Sequence, residues 1–354
     1  MILKAQCTSC SGRKSGSLRH SPTSWHVSTS RYIIGVDLGG TKISVGAMQA
    51  SGGRVIAHHT EPTLAREGAD EVTARIARCI EVVIAGACAE TGATRADFAG
   101  VGLGAPGPLD REKGLVIVAP NLGWTNYPLS DNISAAVHLP ATLDNDANCA
   151  TVGEWWMGAA QGARHVVGMT IGTGIGGGLI LNGELYHGAS DVAGEIGHTT
   201  IDSTGRRCAC GNYGCLEAYA SGPAIAERAR EALLGGEPSS LLSMTGGDAS
   251  LITAQTVYEA AKAGDRIAAE VVRETARFIG AGVANLLNLF NPEVVVLAGG
   301  VAQAGEDLFG PMRAEVRRRA FKPAVDACRI VPGALGSTAG VVGAVKTFLM
   351  QHPA

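Results

Sequence analysis

GTGIGGG, residues 172–178, decides how this chain is read. It contains Gly172-x-Gly174-x-x-Gly177, the spacing of a dinucleotide-binding fingerprint. That fingerprint needs a strand, a glycine turn and then a helix whose N-terminus receives the pyrophosphate. Here the apolar run HVVGMTI (165–171) leads in and GLIL (178–181) leads out, followed by the hairpin pair Asn182-Gly183. The glycines run from strand into strand, which counts against a dinucleotide site. A Walker A loop fails as well, because no Gly-Lys-Ser/Thr follows.

The same shape occurs earlier. YIIGVD (32–37) and ISVGAM (43–48) flank another glycine turn, so DLGGTK (37–42) and GTGIGG are both glycine hairpins between apolar strands. Taken singly, each is an ordinary turn. As a pair, one in each half, they can hold a triphosphate from two sides, since glycine lets backbone N–H groups approach phosphate oxygens.

Around these hairpins the pattern alternates. A helix is expected over about 67–90, where Val72, Ile76, Ile80 and Val83 share one face. FAGVGLG (98–104) reads as a buried strand ending in the turn APGPLD. A short helix (130–138), a strand ATLD (141–144) and a helix (147–160) follow. Further helices are expected near 223–234, 253–263 and 265–289, then a buried strand in EVVVLAGG (293–300) and a helix. Strand CRIVPGAL and a final helix from Thr338 close the chain.

With 354 residues, 46% hydrophobic and 17% charged, the chain is long enough for two domains with substantial cores. No apolar run reaches the roughly 18 residues of a membrane span. A net charge of −3 argues against nucleic acid as the main partner. Residues 1–30 are Ser-rich and basic, with no acid, and read as a disordered extension. A transit peptide shares that composition, and an upstream start codon would also produce such a segment. Nine cysteines, an odd number with no secretory signal, point to a reducing, cytoplasmic setting. Cys79, Cys88, Cys149 and Cys328 sit alone in apolar stretches and read as core residues. Cys208, Cys210 and Cys215 lie close together, with His198 ten residues before the first. Three thiolates and an imidazole make a tetrahedral, structural zinc set.

GVDLGGTK, DNDAN, IGTGIGGGLI, GEIGH and CACGNYGCLE occur in the order found in the ROK family of sugar kinases and repressors, and the chain resembles that family over roughly residues 32–350. The resemblance implies an actin-like ATPase fold of the hexokinase type: two α/β domains with a duplicated core and a cleft for ATP between them. The small N-terminal domain would span 31–147, joined by the C-terminal helix 338–352. The large domain would span 148–337 and carry the zinc loop.

The same resemblance implies roles. Asp37 would face the phosphates through hydrated Mg²⁺, since a bare carboxylate repels phosphate. Gly39, Gly40, Thr41 and Lys42 would line the first phosphate turn, and Gly172, Thr173 and Gly174 the second. Gly299 and Gly300 would lie under the nucleoside, although a strand-end glycine pair is often only a turn. Asp146 would be the catalytic base. Its neighbour Asn145 would orient a sugar hydroxyl, although an Asn at this strand-to-helix junction also suits an N-cap. Asp144 reads as structural. Gly107, Asn121, Glu195, His198 and Glu217 would contact the sugar, with His198 shared between zinc and sugar.

The expected activity is ATP-dependent phosphorylation of glucose at the 6-hydroxyl. Other hexoses such as N-acetylmannosamine or fructose, or a ROK-type transcriptional regulator, are the alternatives. About thirty residues precede the first strand, with Pro22, many Ser and no helical period, which does not suit a helix-turn-helix domain. Polyphosphate is a further donor to consider. The family is often dimeric, so a homodimer or homotetramer is expected.

Overall fold

The structure, a computed structural model, describes residues 31–352. The extension read over residues 1–30 lies outside the described residues. The described residues open with strands β1 (Tyr32–Leu38), β2 (Lys42–Gln49) and β3 (Ala57–Pro62), helix α1 (Ala69–Thr91) and strand β4 (Phe98–Ala105). A small meander, β5 (Leu109–Asp110), β6 (Leu115–Ala119) and β7 (Trp124–Tyr127), precedes α2 (Leu129–Val137) and β8 (Ala141–Asn145). Helix α3 (Asp146–Met157) leads to β9 (Val166–Ile171), β10 (Ile175–Leu181) and β11 (Glu184–Leu185). Helices α4 (Glu217–Ala220), α5 (Gly222–Leu233), α6 (Leu241–Met244), α7 (Ala254–Lys262) and α8 (Arg266–Phe290) follow. Strand β12 (Val294–Ala298), helices α9 (Glu306–Arg319) and α10 (Lys322–Ala327), strand β13 (Arg329–Pro332) and helix α11 (Ala339–Gln351) complete the chain.

The two main sheets have the orders β3-β2-β1-β4-β8 and β11-β10-β9-β12-β13. In each, the first strand pairs antiparallel with the second and parallel with the fourth. One topology is therefore used twice, as the repeated glycine hairpins imply. Helix α1 buries Val72, Ile76, Ile80 and Val83 against the first sheet, the stripe expected of a 3.6-residue period.

Helices α3 and α11 occupy the remaining inner faces. On the first sheet, Val342, Val345 and Phe348 of α11 pack with Ile33 and Met48. On the second, Val152 of α3 packs with Val166, Ile180 and Val296. The two helices cross at glycines: a Cβ on Gly153 would strike the Ala339 carbonyl, and one on Gly343 the Cys149 carbonyl. Only a missing side chain allows backbones so close.

Two features go unread in the sequence. β3 alternates half-buried and exposed residues with no large apolar side chain, and the meander strands are two to five residues long. Cys79 and Cys149 are buried, whereas Cys88 and Cys328 are only half-buried. Among the described residues, no helix is long and apolar enough to cross a membrane.

Candidate active site

The glycines of the opening motif divide into two groups. Gly172, Thr173 and Gly174 make the turn between β9 and β10, closed by Gly172 N–H donating to the Gly174 carbonyl at 2.9 Å. Gly176, Gly177 and Gly178 lie within β10 and alternate in direction. A Cβ on Gly176 would meet Ala147, and one on Gly178 would meet Thr151, both on α3. A Cβ on Gly177 would strike Ile196 and the Gly194 carbonyl. One strand thus seats the start of α3, with Asp146, on one face and the GEIGH segment, with Glu195, on the other.

At the start of α3, Asn145 is the N-cap: its Oδ1 accepts from Ala147 N–H at 2.9 Å and Asn148 N–H at 3.1 Å. The capping alternative is therefore realised, and the side-chain amide N–H₂ remains as its other polar group. Asp146 follows, and burial pushes its carboxyl up to about 6. The Ala147 N–H, 2.8 Å away, opposes the shift, and the Glu195 charge adds to it.

Asp37 ends β1. Burial first, and the Asp146 carboxylate second, push it up to about 7, with Lys42 pulling in the other direction. Its side chain lies against Gly340 of α11, where a Cβ would sit 2.5 Å from its carboxyl carbon. Asp37, Asp146, Glu195 and Lys42 therefore meet electrostatically in one region. Two desolvated carboxylates with raised pKa values are a donor set that a divalent cation would stabilise in the ionised form.

The first hairpin is closed by Gly39 N–H to the Lys42 carbonyl, and the Thr41 carbonyl accepts from Thr63 N–H, both at 2.9 Å. Asn121 lies beside Gly40. Gly107 has φ 95°, and a Cβ there would strike the Val118 carbonyl, so the turn after β4 requires glycine.

His198, Cys208, Cys210 and Cys215 come together with all ligand atoms within 4.8 Å of one another. His198 Nδ1 is 3.8 Å from Cys208 Sγ, and Cys210 Sγ is 3.7 Å from Cys215 Sγ. A tetrahedral zinc with Zn–S near 2.3 Å has ligand–ligand edges of about 3.8 Å, so the set fits that metal. His198 faces the thiols with Nδ1 and Glu195 with Nε2, 4.0 Å from Oε2. Glu217 links the loop to the second hairpin: its Oε2 accepts from Ile175 N–H at 2.8 Å, and its Oε1 lies 3.9 Å from Cys208 Sγ.

Beside the second hairpin opens a cleft of about 720 Å³, lined by Gly172, Thr173, Arg230, Tyr258, Lys262 and Gly300 among others. Its size suits a small-molecule ligand. Gly299, at φ 91°, packs on the Ile171 backbone just behind it. Tyr258 and Lys262 escape a sequence reading because they are ordinary members of an amphipathic helix.

Asp144 is structural in the sense that it is 1% exposed and fully engaged. It accepts from Asn145 N–H and Asn148 Nδ2, and lies against His187 and Arg111. Neither of those two partners carried a motif.

A model of the ROK family matches residues 33–351. The chain is 38% identical over 314 residues to a glucokinase of Halalkalibacterium halodurans, covering 88% of this chain and 93% of that one. It is similar to the crystal structure of a ROK family glucokinase from Streptomyces griseus in complex with glucose and AMPPNP. The TM-score is 0.76 at 36% identity, with 89% of this chain and 98% of that chain covered. It is also similar to a ROK family transcriptional regulator, a homologue of the E. coli MLC protein. There the TM-score is 0.76 at 27% identity, covering 91% of this chain and 79% of that chain.

Proposed function

This chain belongs to the ROK family, and from that premise we propose that it is a sugar kinase transferring the γ-phosphoryl group of ATP to the 6-hydroxyl of glucose. Its fold is the hexokinase-type actin-like ATPase fold. One observation carries the reading: Asp37, at the end of the strand that enters the first glycine hairpin, lies within electrostatic reach of Asp146, and Asp146 within reach of Glu195, these last two being seated on opposite faces of the strand that leaves the second hairpin.

Phosphoryl transfer needs positioning, charge stabilisation and a base. Asp146 is the base. A carboxyl raised to about 6 is ionised at neutral pH yet holds a proton better than an ordinary aspartate. It takes the proton of the 6-hydroxyl as that oxygen bonds to the γ-phosphorus and the bond to ADP breaks. The amide of Asn145, with Gly107, Asn121, Glu195, His198 and Glu217, holds the remaining sugar hydroxyls. Gly39, Gly40, Thr41, Lys42, Gly172, Thr173 and Gly174 hold the phosphates, and Gly299 and Gly300 back the nucleoside. Asp37 is the residue that would hold hydrated Mg²⁺, which when bound neutralises charge on the phosphate oxygens. His198, Cys208, Cys210 and Cys215 would hold a structural zinc that keeps Glu195, His198 and Glu217 in register.

The test is a sugar panel (glucose, mannose, fructose and N-acetylmannosamine) with ATP and Mg²⁺, measuring ADP release. Glucose is expected to give the highest kcat/KM. Glucose binding without ADP release from any donor, polyphosphate included, would replace the kinase with a sugar-responsive regulator, an activity class the regulator homologue represents.

A further inference from the structure

Three charged side chains and a histidine outside the proposed reacting set link the part of the chain built on the first main sheet, the first lobe, to the part built on the second, the second lobe. Asp144, near the end of β8, is almost fully buried, and its Oδ1 is occupied by Asn145 N–H at 2.8 Å and Asn148 Nδ2 at 3.1 Å. Its Oδ2 faces His187 Nε2 at 2.9 Å and Arg111 Nε at 3.1 Å. Arg111 belongs to the turn between β5 and β6 in the first lobe. His187 and Asp191 belong to the loop after β11 in the second. Arg111 also reaches Asp191, with its backbone N–H 3.3 Å from Oδ2 and its Nη1 3.4 Å from Oδ1.

The geometry of Arg111 is slack at both ends. Its Nε is buried and close to Asp144, yet not aligned for a hydrogen bond. Its contacts to Asp191 are longer than the roughly 2.7–2.9 Å of a charge-assisted bond. A guanidinium held loosely between two carboxylates, one from each lobe, would complete its bonds through a small relative movement of the lobes. The recipient carboxylate, Asp144, stands two residues before Asp146 and directly holds Asn148 in the first turn of α3.

We propose that Arg111 is a positioning residue that couples the seating of sugar against Glu195, four residues after Asp191, to the orientation of Asp146, with Asp144 as the transmitting carboxylate and Asp191 as the anchor on the second lobe. This deepens the sugar-kinase reading and rests on it. The role needs the planar fork of arginine, because a lysine ammonium is a point charge that cannot bridge both carboxylates in fixed geometry.

The experiment uses the full chain carrying Arg111→Lys, Asp191→Asn or both, with glucose as the probe. Hydrogen exchange of residues 186–192 is measured with and without glucose, beside glucose Kd by calorimetry, kcat and the KM for ATP. In the unaltered protein glucose should slow exchange in 186–192. Arg111→Lys should still bind glucose but lose that protection. Its kcat should fall by about 10-fold or more, the scale of a reacting group slightly misplaced, with the KM for ATP unchanged. Asp191→Asn, at a half-exposed site, should lose the same protection with a smaller fall in kcat. The double variant should be no worse than Arg111→Lys alone, since both remove one link. Unaltered kcat and protection in Arg111→Lys would overturn the proposal, as would multiplying effects in the double variant. An unaltered protein that binds glucose, shows the protection and turns over no sugar would defeat the kinase reading while leaving the link between lobes established.

Discussion

Replacing Asp37 with Asn should stabilise the metal-free protein at alkaline pH while disabling it. The carboxyl of Asp37 is raised from 3.8 to about 7, first by burial and then by Asp146. The folded state therefore holds this proton more tightly than the unfolded chain does. The stability it contributes is complete below pH 3.8 and is lost as pH rises through about 7. Between about pH 5.5 and pH 8 the loss from this one group is on the order of 2 kcal/mol, taking about 1.4 kcal/mol per pKa unit. For a chain of this length that corresponds to roughly 3 °C in Tm. Asparagine keeps the shape and has no charge to bury, so Asp37→Asn should not show this loss. The desolvation of Asp146 is common to both proteins, and its repulsion of Asp37 is part of the shift that the variant removes. The assay is thermal melting in metal-free buffer at both pH values. The advantage of Asp37→Asn over the unaltered protein should grow by roughly 3 °C from the lower pH to the higher. Adding Mg²⁺ and ATP should narrow that gap, because a cation neutralises the carboxylate. An equal gap at both pH values, or a variant less stable at pH 8, would refute the argument that this carboxylate is held against its charge.

The remaining expectations concern chemistry and metal. Asp146→Asn should lower kcat by about 10²-fold or more with little change in sugar Kd, the scale of a positioned base. A near-normal kcat would remove Asp146 from that role. Glu195→Gln, in contrast, should mainly weaken sugar binding. In the unaltered enzyme, kcat/KM for glucose should rise with pH through about 6 and then level, following the free-enzyme carboxyl; a rate already flat well below that pH would contradict the raised value. Metal analysis should find about one zinc per chain. Cys210→Ser should lose it and weaken sugar binding more than ATP binding, and full metal content in that variant would rule out this coordination.

The sequence by itself determined what is local. The two glycine hairpins, the strands that flank them and the cysteine loop with His198 are each encoded within a short segment. Backbone preference and ligand spacing act over a few residues, so neighbours in sequence suffice to read them. The main helices were legible for the same reason, because a helical period declares which face will be buried. Tertiary structure alone decided which charges meet. Asp37 ends a strand and Asp146 begins a helix far along the chain; the first is raised by desolvation and the Asp146 carboxylate, the second by desolvation and the Glu195 carboxylate, and these effects exist only once the fold brings the segments together. Gly176 and Gly177 read as part of the glycine hairpin, and only packing reveals them, with Gly178 of the strand that follows, as the seats of α3 and the GEIGH segment. Arg111, His187 and Asp191 had no signal at all. A charged residue in a loop looks solvent-exposed in sequence, and nothing in residue order says that Asp144 will be buried within reach of it. Periodicity records how each segment meets the core; charge pairing depends on where segments distant in sequence come to rest beside one another.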